Sequence, residues 1–295
     1  MERKVVCVTG GSGFIGSWIV KLLIQGGYTV HATVQHLNDE KETKHLEALE
    51  GAESGLRLFQ MDLLDYDSLL AAIKGTIGVF HVASPCTVDR VTDPQLYYYP
   101  HNQMAKQVPQ SDSTSKSQCG QPYRWVEACY LSSFFKTALY AEKAAWEFAK
   151  DTGLDVVVIH PGFVLGPILP PVLNASMIML LRLLEGSTEE YGHFYMGPVH
   201  VKDVALAQIL LYENLSASGR HLCVEVINHW SDFATKLAEL YPEYKVPRFP
   251  KDTQPGLLRT EDGAKKLIDL GIQFTSMEET IKVSVESLKS KGYIS

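Results

Sequence analysis

Glycines dominate the first stretch of the sequence that could do chemistry, Thr9-Gly10-Gly11-Ser12-Gly13-Phe14-Ile15-Gly16. A β-branched run over residues 5–8 predicts a buried strand before it, and the apolar period over residues 14–23 predicts a helix after it. Glycine lets a backbone turn tightly and approach a phosphate with no Cβ in the way. The first amides of the helix would then bind that anion. The stretch therefore predicts a dinucleotide pyrophosphate site rather than an ordinary strand–helix turn.

Two further predicted strand ends carry residues that suit a dinucleotide. Asp62, followed by Leu63, ends the third strand, where its carboxylate could accept a hydrogen bond from an adenine amine; the alternative is that it only caps a turn. Val82-Ala83-Ser84 ends the fourth strand, where small residues let the backbone run beside a cofactor. Both positions support the glycine motif.

The residues at the end of the second predicted strand, residues 29–34, indicate whether the chain prefers NAD or NADP. A carboxylate there would bind a ribose 2′-hydroxyl and repel a 2′-phosphate. The chain has Gln35 instead, and Lys41 and Lys44 follow. These residues favour NADP over NAD, with a modest preference because Gln35 cannot replace a guanidinium fork.

Strands that alternate with helices predict right-handed βαβ units and a parallel sheet. The predicted class is α/β, a doubly wound Rossmann-type sheet over residues 1–160, to which residues 199–226 return. The remainder of residues 161–295 is predicted to form a smaller substrate-binding lobe. Residues 95–124 are polar and show no period, so they are predicted to be an atypical loop. Helical periodicity resumes over residues 125–150.

Composition excludes several classes of function. The net charge of −7 argues against nucleic acid or an anionic membrane surface as a partner. The five cysteines include no C-x-x-C pair, so we expect reduced thiols and no metal site. No apolar run is long enough to span a bilayer, and the N-terminal residues contain no signal-peptide core. We expect a cytoplasmic monomer or homodimer that acts on a small molecule.

Six motifs together resemble the plant cinnamoyl-CoA reductase and dihydroflavonol 4-reductase group of extended short-chain dehydrogenases/reductases. The resemblance covers residues 4–94 and 136–295. It implies NADPH-dependent hydride transfer to a phenylpropanoid-type carbonyl or CoA thioester. The motifs are the opening VCVTGGSGFIGSW, Asp62-Leu63-Leu64-Asp65, Val79-Phe80-His81-Val82-Ala83-Ser84-Pro85, Lys143-Ala144-Ala145-Trp146, His160-Pro161-Gly162 and Val199-His200-Val201-Lys202-Asp203-Val204-Ala205.

The same resemblance implies a Tyr-x-x-x-Lys pair on a helix, with a serine from the preceding strand. The tyrosine would donate a proton, the lysine would lower the pKa of the phenol, and the serine would orient the carbonyl. Aligned this way, the lysine is Lys136, but Ser132 lies four residues before it and Tyr130 six before. Tyr140 lies four after it, in reversed order. The candidate catalytic residues are therefore Lys136, Tyr130 and Ser132.

The departures leave two hypotheses open. No counterpart of the family's serine-bearing strand is visible between residues 95 and 125, which predicts a gap in the sheet and weak or absent catalysis. The competing outcome is that residues 125–133 form that strand and bring Ser132 or Ser133 to the place of the family's serine. The chain is then either an active reductase or a catalytically impaired dinucleotide-binding isoform. The predicted cofactor contacts are Gly10, Ser12, Gly13, Phe14, Ile15, Gly16, Gln35, Lys41, Asp62, Leu63, Val82, Ala83, Ser84, Lys136, Pro161 and Val164.

Overall fold

A computed structural model describes residues 4–63, 65–83, 123–128, 135–187, 195–249 and 263–295, with the backbone alone at residues 135–141 and 144. In the described residues the strands are β1 (Val5–Thr9), β2 (Thr29–Val34), β3 (Leu56–Gln60), β4 (Gly78–His81), β5 (Arg124–Ala128), β6 (Asp155–Pro161), β7 (Phe163–Leu165), β8 (Tyr195–Met196), β9 (Pro198–His200), β10 (Gly219–Cys223) and β11 (Asn228–His229). The helices are α1 (Phe14–Gln25), α2 (Glu40–Glu47), α3 (Ala52–Gly55), α4 (Tyr66–Ile73), α5 (Phe135–Thr152), α6 (Ala175–Glu185), α7 (Val201–Glu213), α8 (Trp230–Leu240), α9 (Lys265–Asp269) and α10 (Met277–Ser290).

Seven strands form one sheet in the order β10-β6-β5-β4-β1-β2-β3. The pairs from β3 through β6 are parallel. The order 3-2-1-4-5-6 is that of a Rossmann sheet, so the predicted fold class is confirmed. β1, β2 and β4 are buried along nearly their whole length, as expected for strands covered on both faces. Their carboxyl ends meet at one edge, where the fold places a ligand.

The predicted gap in the sheet is wrong. β5 fills it, pairing with β4 on one side and β6 on the other. Residues 124–128 are therefore strand, in agreement with the competing expectation, rather than the end of a loop followed by a helix; the helix α5 begins only at Phe135. The segment RWVEA lacks the pattern of a buried strand, because two of its five buried residues, Arg124 and Glu127, are charged.

Arg124 can be buried in β5 because its guanidinium donors all find acceptors. Its Nε donates to the Asp155 carboxylate at 2.7 Å. Its Nη1 donates to the carbonyls of Leu211 and Asn214, both at 2.6 Å, and its Nη2 to that of Ala217 at 2.8 Å. These carbonyls lie at and beyond the end of α7, where a helix leaves acceptors unsatisfied. One buried side chain thus joins β5, β6 and α7.

The chain forms two compact units. The first contains residues 1–160, 169–172 and 205–221, and the second contains residues 161–168, 173–204 and 222–295. The first unit holds the β1–β5 part of the sheet. In the second, β7 pairs with β9 in parallel, and β11 pairs with β8 in antiparallel. A substrate-binding role for the second unit remains a prediction.

The predicted absence of a membrane span, a metal site and a disulfide can be compared with the structure only within the described residues. There, no helix is long and apolar enough to cross a membrane. No group of three or more His, Cys, Asp or Glu residues within the described ranges could hold a metal ion. Cys7 and Cys223, the cysteines that fall in those ranges, are buried free thiols.

Candidate functional site

The glycine-rich loop joins β1 to α1 at the carboxyl edge of the sheet. Gly10 has a φ of 65°, a conformation that favours glycine. The Gly13 N–H donates to the Gly10 carbonyl at 3.0 Å, and the Ser17 N–H donates to the Gly13 carbonyl at 2.9 Å. The first amides of α1 precede that bond and have no helical acceptor. The helix dipole favours an anion at the N-terminus of α1, and no acidic residue in the first turn opposes it.

The predicted glycines have two different roles, close packing within the protein and space for a ligand. A Cβ on Gly10 would lie 2.9 Å from the Cα of Ala83, and a Cβ on Gly16 would collide with the Gly10 carbonyl oxygen. Both are required by packing within the protein. A Cβ on Gly13 would meet only the Gly10 carbonyl oxygen, at 3.3 Å, and otherwise open space. Gly13 therefore leaves room that a phosphate group would fill, and the loop fits the pyrophosphate of a dinucleotide.

Two threonines tie the strand ends to this loop. The Thr33 hydroxyl accepts the Gly10 N–H at 2.9 Å, and the Thr9 hydroxyl accepts the N–H groups of Val82 and Ala83 at 3.2 and 3.3 Å. Gly10, Val82 and Ala83 are thus brought together, and the cofactor contacts expected for them remain predictions. Sequence reasoning missed both threonines, although each lies at or near the end of a buried strand.

An acid on α2, which the sequence did not reveal as a site residue, lies against the end of β2. Oε2 of Glu42, on α2, accepts the Gln35 N–H at 2.6 Å and the His36 N–H at 3.4 Å. Asp39 caps α2 by accepting the Lys41 N–H at 2.9 Å. Gln35 and Lys41, the residues predicted to face a 2′-phosphate, therefore share this corner with a carboxylate.

The end of β3 lies beside the end of β2, since the Met61 N–H donates to the Val34 carbonyl at 2.9 Å. Asp62 follows with an exposed side chain, and its N–H donates to the Ser68 hydroxyl at 3.2 Å. Leu63 is half-buried against the hydrophobic cluster that includes Met61. The exposed Asp62 carboxylate suits the adenine contact predicted for it, and that contact remains a prediction.

A buried polar pair lies inside the sheet beneath the loop. The Glu127 carboxylate accepts the Trp125 indole N–H at 2.8 Å and lies 4.0 Å from Nε2 of His81. Nδ1 of His81 is hydrogen-bonded to the Thr9 hydroxyl at 2.6 Å. Burial, with a smaller contribution from the negative charge of Glu142, raises the pKa of Glu127 to about 8. These groups connect β5 to the residues that support the loop.

The helix α5 carries Lys136 in its first turn. A buried acid on the same helix, Glu142, holds it to the sheet: the Trp146 indole N–H and the Arg220 Nε donate to its Oε1, and Nε2 of His160 lies 3.6 Å from its Oε2. This arrangement fixes the direction of the helix. The side chain of Lys136 and all of Tyr130, Ser132 and Ser84 lie outside the described residues.

The remaining two predicted cofactor residues lie in the second unit. Pro161 is buried at the end of β6, and Val164 is buried in β7, where it pairs with Val199. Phe163, between them, packs edge-on against Trp230 with ring centroids 6.0 Å apart. The cofactor contacts of Pro161 and Val164 remain predictions.

Comparison with known proteins places the chain in a family. The family model described as GDP-mannose 4,6 dehydratase matches residues 7–107. Cinnamoyl-CoA reductase 1 of Petunia hybrida is 39% identical over 324 residues, which covers 100% of this chain and 95% of that protein. The chain belongs to the cinnamoyl-CoA reductase and dihydroflavonol 4-reductase group of extended short-chain dehydrogenases/reductases. The resemblance predicted from the six sequence motifs is therefore confirmed.

Solved structures agree with this family. Vestitone reductase from alfalfa (Medicago sativa L.) superposes with a TM-score of 0.79 at 30% identity, covering 99% of this chain and 100% of that one. A yeast methylglyoxal/isovaleraldehyde reductase, solved with NADPH, has a TM-score of 0.77 at 21% identity, covering 98% and 100%. The yeast enzyme shows the same fold.

Proposed function

We propose that this chain is an NADPH-dependent reductase that transfers a hydride to a phenylpropanoid-type carbonyl or CoA thioester. The observation that carries the proposal is the loop of β1 and α1, in which only Gly13 leaves open space beside the first amides of a helix. Membership of a reductase family supplies the reaction class. The names of the relatives, cinnamoyl-CoA reductases and dihydroflavonol 4-reductases, supply the substrate class.

The chain's own residues divide the work as follows. The amides of Phe14, Ile15 and Gly16 would hold the pyrophosphate, and Asp62 would bind the adenine amine. The bound cofactor would supply the hydride. The acceptor oxygen then needs a proton, for which the sequence offers two candidates, the phenol of Tyr130 and the hydroxyl of Ser132. If Tyr130 is the donor, the Lys136 ammonium would lower the pKa of its phenol.

A second candidate function rests on the sequence around Lys136. Ser132 stands where the family has its catalytic tyrosine, and a serine hydroxyl is a far weaker acid than a phenol. General acid catalysis contributes about 10²–10⁴-fold to such reactions. A chain without a positioned acid would bind NADPH and reduce its substrate slowly or not at all. Two arguments favoured this candidate: a gap in the sheet and the missing tyrosine. The pairing of β5 with β4 and β6 removes the first argument and leaves the second.

Steady-state NADPH oxidation separates the two functions. The wild type is assayed with cinnamoyl-CoAs, cinnamaldehydes and dihydroflavonols, and NADPH binding is measured on the same preparation by fluorescence. An active reductase oxidises NADPH with at least one substrate class, and Tyr130→Phe lowers kcat about 10²-fold or more if Tyr130 is the acid. Binding without oxidation across the panel supports the impaired isoform, and absence of NADPH binding refutes both.

A further inference from the structure

The corner between β2 and α2 presents two backbone donors to a single anionic oxygen. The N–H groups of Gln35 and His36 both point at Oε2 of Glu42, at 2.6 and 3.4 Å. Glu42 is half-buried there, whereas Gln35 and His36 are exposed. Converging backbone amides form anion-binding sites in other proteins, many of which bind phosphate. The internal carboxylate therefore occupies donors that a phosphate group could use.

The charges around this corner do not compensate for Glu42. Lys44 pairs with Glu40, one turn earlier on α2, so its ammonium is already neutralised by an acid. The stretch from residue 35 to residue 47 carries more acids than bases. The acids are Asp39, Glu40, Glu42 and Glu47, and the bases are Lys41 and Lys44.

We propose that Glu42 is a specificity-determining residue for the cofactor, because its carboxylate occupies the Gln35 and His36 amides and lowers the affinity for a ribose 2′-phosphate. An arriving 2′-phosphate must displace this carboxylate or lie against it with like charge. A ribose 2′-hydroxyl can instead donate a hydrogen bond to it, as acids near this strand end do in dinucleotide folds. Glu42 thus narrows the preference for NADPH over NADH. The inference rests on the proposed NADPH-dependent function and names the residue that tunes it.

Two substitutions separate the charge of Glu42 from its occupation of the amides. Glu42→Gln keeps an acceptor for the two N–H groups and removes the charge. Glu42→Ala removes both. Glu47→Gln, at the last residue of the same helix, removes an equal charge from an exposed position away from the amides and is the matched control.

The readout is binding of two fragments by calorimetry, with no turnover involved. Adenosine 2′,5′-bisphosphate carries the 2′-phosphate, and AMP carries the 2′-hydroxyl in its place. The selectivity is the ratio of the AMP Kd to the bisphosphate Kd. We expect Glu42→Gln to raise this ratio about threefold, the effect of one charge that solvent partly screens. We expect Glu42→Ala to raise it about tenfold, since the freed amides can bond the phosphate. Glu47→Gln should leave it unchanged.

The outcomes distinguish this inference from the proposed function. A raised ratio with unchanged or weaker AMP binding supports the role of Glu42. Equal weakening of both fragments in Glu42→Ala and an unchanged ratio in Glu42→Gln would show that Glu42 only stabilises the turn, and would overturn the inference alone. Failure of the wild type to bind NADPH or either fragment would overturn the proposed function together with the inference.

Discussion

The carboxylate of Glu127 lies 4.0 Å from Nε2 of His81, and both side chains are buried in the middle of the sheet. The Trp125 indole N–H bonds the same carboxylate at 2.8 Å, and the Thr9 hydroxyl bonds the other nitrogen of His81 at 2.6 Å. Thr9 in turn accepts the Ala83 N–H, next to Gly10. The polar interior of β5 is therefore joined by contacts to the support of the glycine loop.

This pair predicts a pH dependence of stability. Burial raises the pKa of Glu127 from 4.5 to about 8, so between these values the folded protein keeps a proton that the unfolded chain releases. The free energy of unfolding contributed by Glu127 therefore falls as pH rises through that window, by up to about 1.4 kcal/mol per pH unit. Glu127→Gln cannot ionise and still accepts the Trp125 N–H.

We expect the melting temperature of Glu127→Gln to match that of the wild type near pH 5 and to exceed it near pH 8. Thermal denaturation from pH 5 to pH 9 measures the difference. Glu147→Gln, an exposed acid on α5, is the control and should follow the wild type throughout. Parallel curves for wild type and Glu127→Gln would contradict the assignment of a raised pKa to Glu127.

The two roles of the loop glycines predict that one substitution lowers cofactor affinity and the other lowers stability. Gly13→Val should fold, because Gly13 has an ordinary φ of −73° and its Cβ would contact only the Gly10 carbonyl oxygen, at 3.3 Å, but the branched side chain would lie where the phosphate binds and should abolish NADPH binding. Gly16→Ala should destabilise the protein by about 1–3 kcal/mol, since its Cβ collides with backbone. Urea denaturation and NADPH fluorescence titration test the pair. A stable Gly16→Ala, or a Gly13→Val that binds normally, would refute the division.

The lack of an arginine at the end of β2 gives a gain-of-function prediction. Gln35→Arg should strengthen NADPH binding by up to about 1.5–3 kcal/mol, less because the site is exposed. Glu42 accepts the Gln35 N–H, so a new guanidinium at residue 35 would also find this acid. The gain should therefore be larger in the Glu42→Gln background, which a double-mutant cycle of NADPH affinities measures. Tighter NADH than NADPH binding in the wild type would contradict this reading of the strand end.

Arg124 predicts the largest effect on stability away from the cofactor site. Arg124→Met leaves the Asp155 carboxylate and the carbonyls beyond α7 without their donors, so the free energy of unfolding should fall by about 3–5 kcal/mol. Arg57→Met, at an exposed arginine in β3, is the control and should change it by less than about 0.5 kcal/mol. Urea denaturation compares the two. Equal small effects would show that Arg124 does not anchor β5.

The sequence predicted those parts of the molecule in which local pattern and burial agree. β1, α1 and β2 were found with nearly their observed bounds because β-branched runs and an apolar helical period mark them. β5 was only the competing expectation because Arg124 and Glu127 look like surface residues. The buried guanidinium of Arg124 is satisfied by partners far along the chain, such as Asp155 and Leu211.

The candidate site divides in the same way. Gly10, Gly13 and Gly16 could be named from the sequence because a conformational requirement shows in the residue type; their contacts with a cofactor remain predictions. Glu42 was missed because its role depends on a turn that brings it onto the amides of Gln35 and His36, and residue type does not reveal that contact.

The most direct test of the proposed function is substrate-dependent NADPH oxidation by the wild type, with Gly13→Val as the variant that lacks cofactor binding. The proposal predicts oxidation with a cinnamoyl-CoA, a cinnamaldehyde or a dihydroflavonol, on the order of 1–10³ s⁻¹ for an enzyme of ordinary rate. It also predicts that Gly13→Val loses this activity while remaining folded. A folded wild type that binds NADPH but oxidises none with any of these substrates would contradict the reductase assignment.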